Sequence, residues 1–279
     1  MGLFSLFKDS ETLYFPGCNA YYKNNIYSEL YKKIFSKLDI EFKTLQKHNC
    51  CGLKALEFGY ETEAIKLSRK NFESFQENNI RKIITSCPGC YKMLLNYKKM
   101  LPDWDIEIEN TWELILRKLV GNPKLIKRTF EESITYHDSC YLGRHCNIYN
   151  EPRQILELLG YKIEEMTESK ENSMCCGGCG GLTITEPDLA DKIAKQLLLQ
   201  AKRLKIKKMV VCSLDNYILL KKNSGEFNIE ILEISEVIAK ALDIEFDDFE
   251  KQDNEEEQEV IELEKENKEE NSEENEEEK

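Results

Sequence analysis

The eleven cysteines of this 279-residue chain include two matching sets, and that repetition constrains the fold more than any other feature. Cys18 is followed after 31 residues by Cys50-Cys51-Gly52, and after 35 more by Cys87-Pro88-Gly89-Cys90. In the second set 34 residues separate Cys140 from Cys175-Cys176-Gly177, and again 35 lead to Cys212. Equivalent cysteines are thus offset by 122, 125 and 125 residues. The closing segments Glu113-Leu114-Ile115 and Glu236-Val237-Ile238 repeat as well. The chain reads as a tandem duplication.

Each cysteine group falls at the end of a predicted strand or just ahead of a predicted helix. Thr12 to Phe15 reads as a short buried strand broken by Pro16-Gly17 before Cys18, and Glu41 to Leu45 as a second strand delivering Cys50 and Cys51. Helical periodicity covers Ser28 to Leu38 and Glu61 to Asn78; Lys82 to Ser86 is a strand ending in the Cys87/Cys90 motif, with a further helix through Met100. Ile106 to Ile108 and Thr111 to Leu119 close the half. The order recurs: strands over Ile134 to His137, Tyr161 to Met166, Lys208 to Val211 and Glu230 to Ile234, helices over Pro152 to Leu159, Pro187 to Leu204 and Ser235 to Leu242. Alternation of this kind implies a parallel sheet with helices on its faces, where ligands collect at the carboxyl ends of the strands.

Adjacent cysteines make poor disulfide partners, because their side chains diverge. They suit a polynuclear metal centre in which several irons each take one thiolate. The run Met174-Cys175-Cys176-Gly177-Gly178-Cys179-Gly180-Gly181 adds residues without a Cβ, which permit positive φ and let backbone N–H groups approach sulfur. Five thiols in the first half, Cys18, Cys50, Cys51, Cys87 and Cys90, exceed the four a structural zinc takes. A soft, thiolate-only set favours iron-sulfur.

The net charge of −13 resides in the tail: residues 247–279 hold 18 acidic side chains and 4 lysines, which leaves 34 acidic against 35 basic in the rest. A near-neutral body argues against nucleic acid as a partner. The tail, lacking aromatics after Phe249, is expected to be disordered. Leu3, Phe4, Leu6 and Phe7 form an apolar run too short for a signal peptide and are expected to pack on the body. An odd number of cysteines without a leader points to a reducing, cytoplasmic setting, at most peripheral to the inner face of a membrane through a partner.

The lone Cys, Cys-Cys-Gly, Cys-Pro-x-Cys pattern over residues 12 to 242 resembles the cysteine-rich CCG domain of the B and D components of heterodisulfide reductase, and of the iron-sulfur subunits of glycolate, lactate and glycerol-3-phosphate oxidation. His137-Asp138-Ser139-Cys140-Tyr141-Leu142-Gly143-Arg144-His145 with Glu151-Pro152-Arg153 is similar to the family's second-repeat signature. The resemblance implies an α/β protein of two Rossmann-like parallel-sheet halves, residues 12–122 and 123–246, between an N-terminal extension (1–11) and the acidic tail (247–279). It implies a non-cubane 4Fe-4S cluster on Cys18, Cys50, Cys51, Cys87 and Cys90, and a second site on Cys140, Cys175, Cys176 and Cys212. There the final family cysteine is replaced by Asp215 and Cys179 interrupts the glycines; Asp215, Cys179, Cys146 and His145 are the candidates to complete a site that holds a 4Fe-4S cluster, a zinc ion or nothing. The implied activity is that of an oxidoreductase subunit passing electrons to or from a disulfide or a quinone-linked dehydrogenase. No ferredoxin-type cysteine run precedes the domain, so a ferredoxin-like iron-sulfur subunit or a flavoprotein is the expected partner.

Two other readings carry less of the pattern. Cys87-Pro88-Gly89-Cys90 between strand and helix is also the arrangement of a thiol-disulfide exchanger, and a non-enzymatic zinc scaffold would use fewer of the thiols. His48 and His145 are read as hydrogen-bonding beside the cluster cysteines, with ligation or proton transfer as the alternative, His137 as packed or hydrogen-bonded, Arg144 and Arg153 as countering cluster charge, holding an anionic substrate or forming surface ion pairs, and Trp104 and Trp112 as core.

Overall fold

Short apolar strands and amphipathic helices alternate through residues 11–245, the part of the chain that the computed structural model describes. The first half runs β1 (Thr12–Tyr14), α1 (Cys18–Tyr22), α2 (Asn25–Lys37), α3 (Leu53–Glu57), α4 (Glu61–Glu77), β2 (Lys82–Ile84), α5 (Pro88–Met100), β3 (Glu107–Ile108) and α6 (Thr111–Gly121). The second runs β4 (Ser133–His137), α7 (Asn150–Leu158), β5 (Lys162–Ile163), α8 (Leu182–Thr185), α9 (Pro187–Arg203), β6 (Lys208–Val211), α10 (Leu214–Ser224), β7 (Glu230–Glu233) and α11 (Ile234–Ala241). The expectations for residues 1–10 and for the acidic tail lie outside the described residues.

All strand pairs are parallel, in the orders β1-β2-β3 and β5-β4-β6-β7. Lys43 bridges to Leu13 on the open side of β1, where β5 stands beside β4, so the two halves share one topology. The strand expected over Glu41 to Leu45 is reduced to that bridge, with Tyr14 N–H donating to Lys43 O and Lys43 N–H to Thr12 O. Strands such as β6, with Met209, Val210 and Val211 all buried, read as continuous apolar runs because helices cover both faces. On α4 the buried residues Ala64, Ser68, Asn71, Phe72 and Phe75 recur at helical spacing and form its inward stripe. Trp112 is fully buried, and Trp104 packs tilted against Phe72 and edge-on to Tyr97.

Helices of the two halves pack against one another along a common seam within one compact unit. α2 packs on α11, and α7 on α6. On the first of these contacts the Tyr27 hydroxyl donates to Glu236 Oε1 (2.8 Å) and the Tyr31 hydroxyl to Glu233 Oε1 (3.0 Å). Burial pushes both carboxyls up from 4.5 to about 7. A carboxyl raised in the folded state keeps a proton that the unfolded chain releases, so its stabilising effect is full below pH 4.5 and is lost as pH rises through about 7. Glu236→Gln is expected to flatten that decline and to stabilise the protein at pH 8 by up to about 3 kcal/mol. Urea midpoints measured from pH 4 to 8 test this; parallel curves for the two proteins would refute it.

Candidate metal centre

The turns that carry the cysteines are fixed by backbone geometry the sequence encodes locally. Gly17 sits at φ 89°, and a Cβ there would lie 2.9 Å from Cys87 Cβ, so only glycine lets the β1–α1 turn approach the Cys87 loop. The paired Cys-Cys-Gly turns are alike: Gly52 (φ 88°) and Gly177 (φ 87°) each press on the backbone of an alanine in the following helix, Ala64 in α4 and Ala190 in α9. Cys87 caps α5, and its sulfur accepts the Cys90 N–H at 3.4 Å. Sulfurs of Cys50, Cys175 and Cys176 accept the N–H groups of Gly52, Gly177 and Gly178 at 3.3 to 3.4 Å.

In the first half the structure brings all five expected thiols together as a continuous string. Cys18 touches Cys50, Cys50 touches Cys51, Cys51 Sγ lies 3.4 Å from Cys90 Sγ, and Cys90 touches Cys87. Hydrogen bonds from the Cys18 and Cys51 thiols, with the Gly52 N–H, hold Cys50 far below the ordinary thiol range, while the same contacts and burial push Cys18 and Cys51 up. Cys175 is held down in the same way by Cys140, Cys176 and the Gly177 N–H. Among the described residues no three His, Cys, Asp or Glu side chains close on one point as a single ion would require.

The second half departs from the expected set. Cys140 contacts Cys175 and Cys179, Cys175 contacts Cys176, and Cys179 Sγ reaches Asn216 Oδ1 at 3.4 Å. Cys212 is fully buried against Tyr136, with Glu233, Asp138 and Arg153 as its charged surroundings, and the structure does not bring it into this string. Asp215 lies at the seam and accepts a hydrogen bond from Asn19 Nδ2 (3.0 Å). His145 is exposed beside Tyr141, and Cys146, raised to about 11 by burial, is set near Lys92. Arg153 forms a buried ion pair with Asp138 (2.7 Å) and a second with Glu165 (2.6 Å), whereas Arg144 donates to Ser173 O. Asp138 Oδ2 also accepts the Lys170 N–H, so the ion pair anchors the loop that leads to Cys175.

The first thiol group faces the second half, from which Cys179 reaches toward it. A cavity of about 100 Å³ is lined by all five first-half cysteines and, from the other half, by Cys179, Tyr141 and Asp215. Cys51 and Cys90 belong to the same apolar cluster as Tyr141, with Cys140 and Cys179 packed against it. The Tyr141 hydroxyl donates to Glu57 Oε1 at 2.5 Å across this cavity. Two histidines stand beside the thiols: His48, against Phe15 (4.4 Å) and stacked on Tyr21 (4.8 Å), and His137. Burial lowers each to about 4, so both are neutral at pH 7. Nε2 of His48, Nδ1 of His137 and Oγ of Ser139 are buried without a hydrogen-bond partner. Sequence reasoning missed Tyr141, Glu57 and Asn216; Asn216 becomes visible once the strands are aligned by their pairing and not by cysteine spacing.

Known proteins share the repeated cysteine-bearing segments. The cysteine-rich domain model CCG matches residues 12–95 and 134–215. The chain is 30% identical over 188 residues to the D component of the dihydromethanophenazine:CoB–CoM heterodisulfide reductase of Methanosarcina barkeri, covering 65% of this chain and 46% of that protein. It is 33% identical over 192 residues to the probable iron-sulfur-binding oxidoreductase FadF of Bacillus subtilis (67% and 27%), and 29% identical over 252 residues to the EtfAB:quinone oxidoreductase of Syntrophomonas wolfei (85% and 35%). The chain thus spans half or less of the length of these relatives. No helix among its described residues is long and apolar enough to cross a membrane. With two matched copies over residues that fold alike and carry the paired cysteine turns, the chain belongs to the CCG cysteine-rich domain family.

Proposed function

We propose that the chain is an electron-transferring iron-sulfur component of an oxidoreductase complex, built from CCG domains at residues 12–122 and 123–246. The observation that carries this reading is the string of five thiols, Cys18, Cys50, Cys51, Cys90 and Cys87, lining one side of a cavity whose other side bears Cys179 of the second half. The donor set fits an iron-sulfur group. Its donors are all cysteine sulfur, it receives N–H groups on sulfur, and it has an unpartnered buried nitrogen, His48 Nε2, beside Cys50. Such a group, when bound, supplies one-electron transfer.

The chain's own residues do the rest. The glycine turns hold the cysteines, the apolar cluster keeps water from the Cys51 and Cys90 sulfurs, and the Tyr141–Glu57 pair offers a proton at the cavity wall. A disulfide entering this cavity would take two electrons and two protons to give two thiols. The names of the relatives support a disulfide or a quinone-linked dehydrogenase as the redox partner, with electrons exchanged through a ferredoxin-like subunit or a flavoprotein. Such partners imply a position on or near a membrane surface.

Anaerobic reconstitution with iron and sulfide is expected to give a brown protein holding several irons and matching acid-labile sulfide per chain, with an EPR signal on oxidation or reduction. Protein that binds no iron yet reduces disulfides at full rate through Cys87 and Cys90 would overturn the proposal in favour of thiol-disulfide exchange.

A further inference from the structure

Counting residues between cysteines equates Cys212 with Cys87; strand pairing gives a different equivalence. β1 pairs with β2 so that Tyr14 faces Ile84, and β4 pairs with β6 so that Tyr136 faces Val210. Three residues beyond each of these pairs a helix is capped, by Cys87 for α5 and by Ser213 for α10. Ser213 therefore occupies the place of Cys87, Asn216 that of Cys90, and Cys212 that of Ser86. The hydrogen bonds agree with the register. Tyr14 Oη is 2.9 Å from Ser86 Oγ, and the Cys212 thiol interacts with Tyr136, the residue in Tyr14's place.

Both positions of the Cys-Pro-x-Cys motif are thus without sulfur in the second half. Cys179 makes good part of the loss from another direction. It comes from the glycine-rich loop, touches Cys140 and meets Asn216 at 3.4 Å. Gly178, which brings its backbone N–H to Cys176 Sγ, has no room for a Cβ, because one would lie 2.9 Å from Asp215 O and 3.3 Å from that same sulfur. Close by, His137 Nδ1 and Ser139 Oγ are buried and unpartnered on the strand and turn that deliver Cys140, two polar atoms that an anionic thiolate-bound group would satisfy.

We propose that the second centre is a four-thiolate iron-sulfur site made by Cys140, Cys175, Cys176 and Cys179, and that Cys212 is a packing partner of Tyr136 that takes no part in it. Four thiolates are the number an ordinary 4Fe-4S cluster takes. This inference rests on the iron-sulfur reading of the chain, and it gives the two halves unlike centres.

The test compares full-length wild type, Cys179→Ser and Cys212→Ser after anaerobic reconstitution, by iron, zinc and acid-labile sulfide content and by EPR, with circular dichroism as the check on folding. Cys212→Ser recreates the Tyr14–Ser86 pair and is expected to fold and to keep wild-type iron and both signals. Cys179→Ser is expected to lose the iron and the EPR signal of one centre while the other is unchanged. Loss of a centre in Cys212→Ser with retention in Cys179→Ser, or retention of both centres in both variants, would overturn the inference while leaving the iron-sulfur reading intact. Zinc in the second half of the wild type would overturn the iron-sulfur assignment of that centre. A wild-type chain that takes up no iron at all is a different result, which removes the underlying reading.

Discussion

Arg153→Met is expected to lower the stability of the protein by about 3–5 kcal/mol, the cost of removing one partner from a buried ion pair. The Arg153 side chain is 7% exposed and that of Asp138 2%. Its guanidinium spends two nitrogens on the two Asp138 oxygens (2.7 and 2.8 Å), two on Glu165 (2.6 and 2.9 Å) and one hydrogen on Tyr149 O, while its face covers the Tyr136 ring at 4.9 Å. Methionine keeps much of the apolar stem but leaves the Asp138 carboxylate buried with no countercharge. Adding Asp138→Asn removes that charge and is expected to recover part of the loss. Urea unfolding of the single and double variants measures both numbers; a single-variant change below about 1 kcal/mol would mean the pair behaves as an exposed one. Because Asp138 also holds the Lys170 N–H, the single variant is expected to loosen the loop before Cys175 and lower iron retention in the second half more than in the first.

The second large effect requires no cysteine to change. Gly52→Val is expected to empty the first centre although all five thiols remain. Its φ of 88° lies where a β-branched residue is strained by about 1–2 kcal/mol. A Cβ there would also meet Ala64 O at 3.2 Å and Met93 Cε at 3.4 Å. The carbonyl belongs to the body of α4 and has little freedom to retreat, so the strain falls on the turn that aims Cys50 and Cys51. Gly59 provides the control, since it has a similar φ of 84° but a Cβ added there would meet nothing within 4 Å. Gly59→Val is expected to cost stability without emptying the centre. Equal iron loss in the two variants would show that backbone strain alone, without the steric contact at α4, accounts for the effect.

The sequence shows the parallel sheets and the convergence of thiols at the strand ends because both rest on short-range signals. Buried parallel strands are apolar throughout, and the Pro16-Gly17 and Cys-Cys-Gly turns mark where each ends. What it leaves hidden depends on register. Cys212 keeps the spacing of Cys87, yet one residue more between the Cys-Cys-Gly turn and the paired strand places it where Ser86 stands, one short of the helix cap, with its side chain turned to the other face. Asn216 has no sulfur to draw attention, and α10 gives no clear helical signal because its apolar residues do not confine themselves to one stripe: Tyr217, Leu219 and Leu220 are all buried. Arg153 reads as a surface or cluster-facing cation, since nothing local in Glu151-Pro152-Arg153 tells that Asp138 and Glu165 will fold over it.

The cavity between the halves has a consequence for how such a chain survives in air. Its five first-half thiols are walled on the opposite side by Tyr141, Cys179 and Asp215, and Asn19 is tied to Asp215 at that boundary. The first repeat does not enclose its own sulfurs. The second serves as their cover on that side, so separating the copies would expose the five first-half thiols to oxygen, and the duplication protects that chemistry.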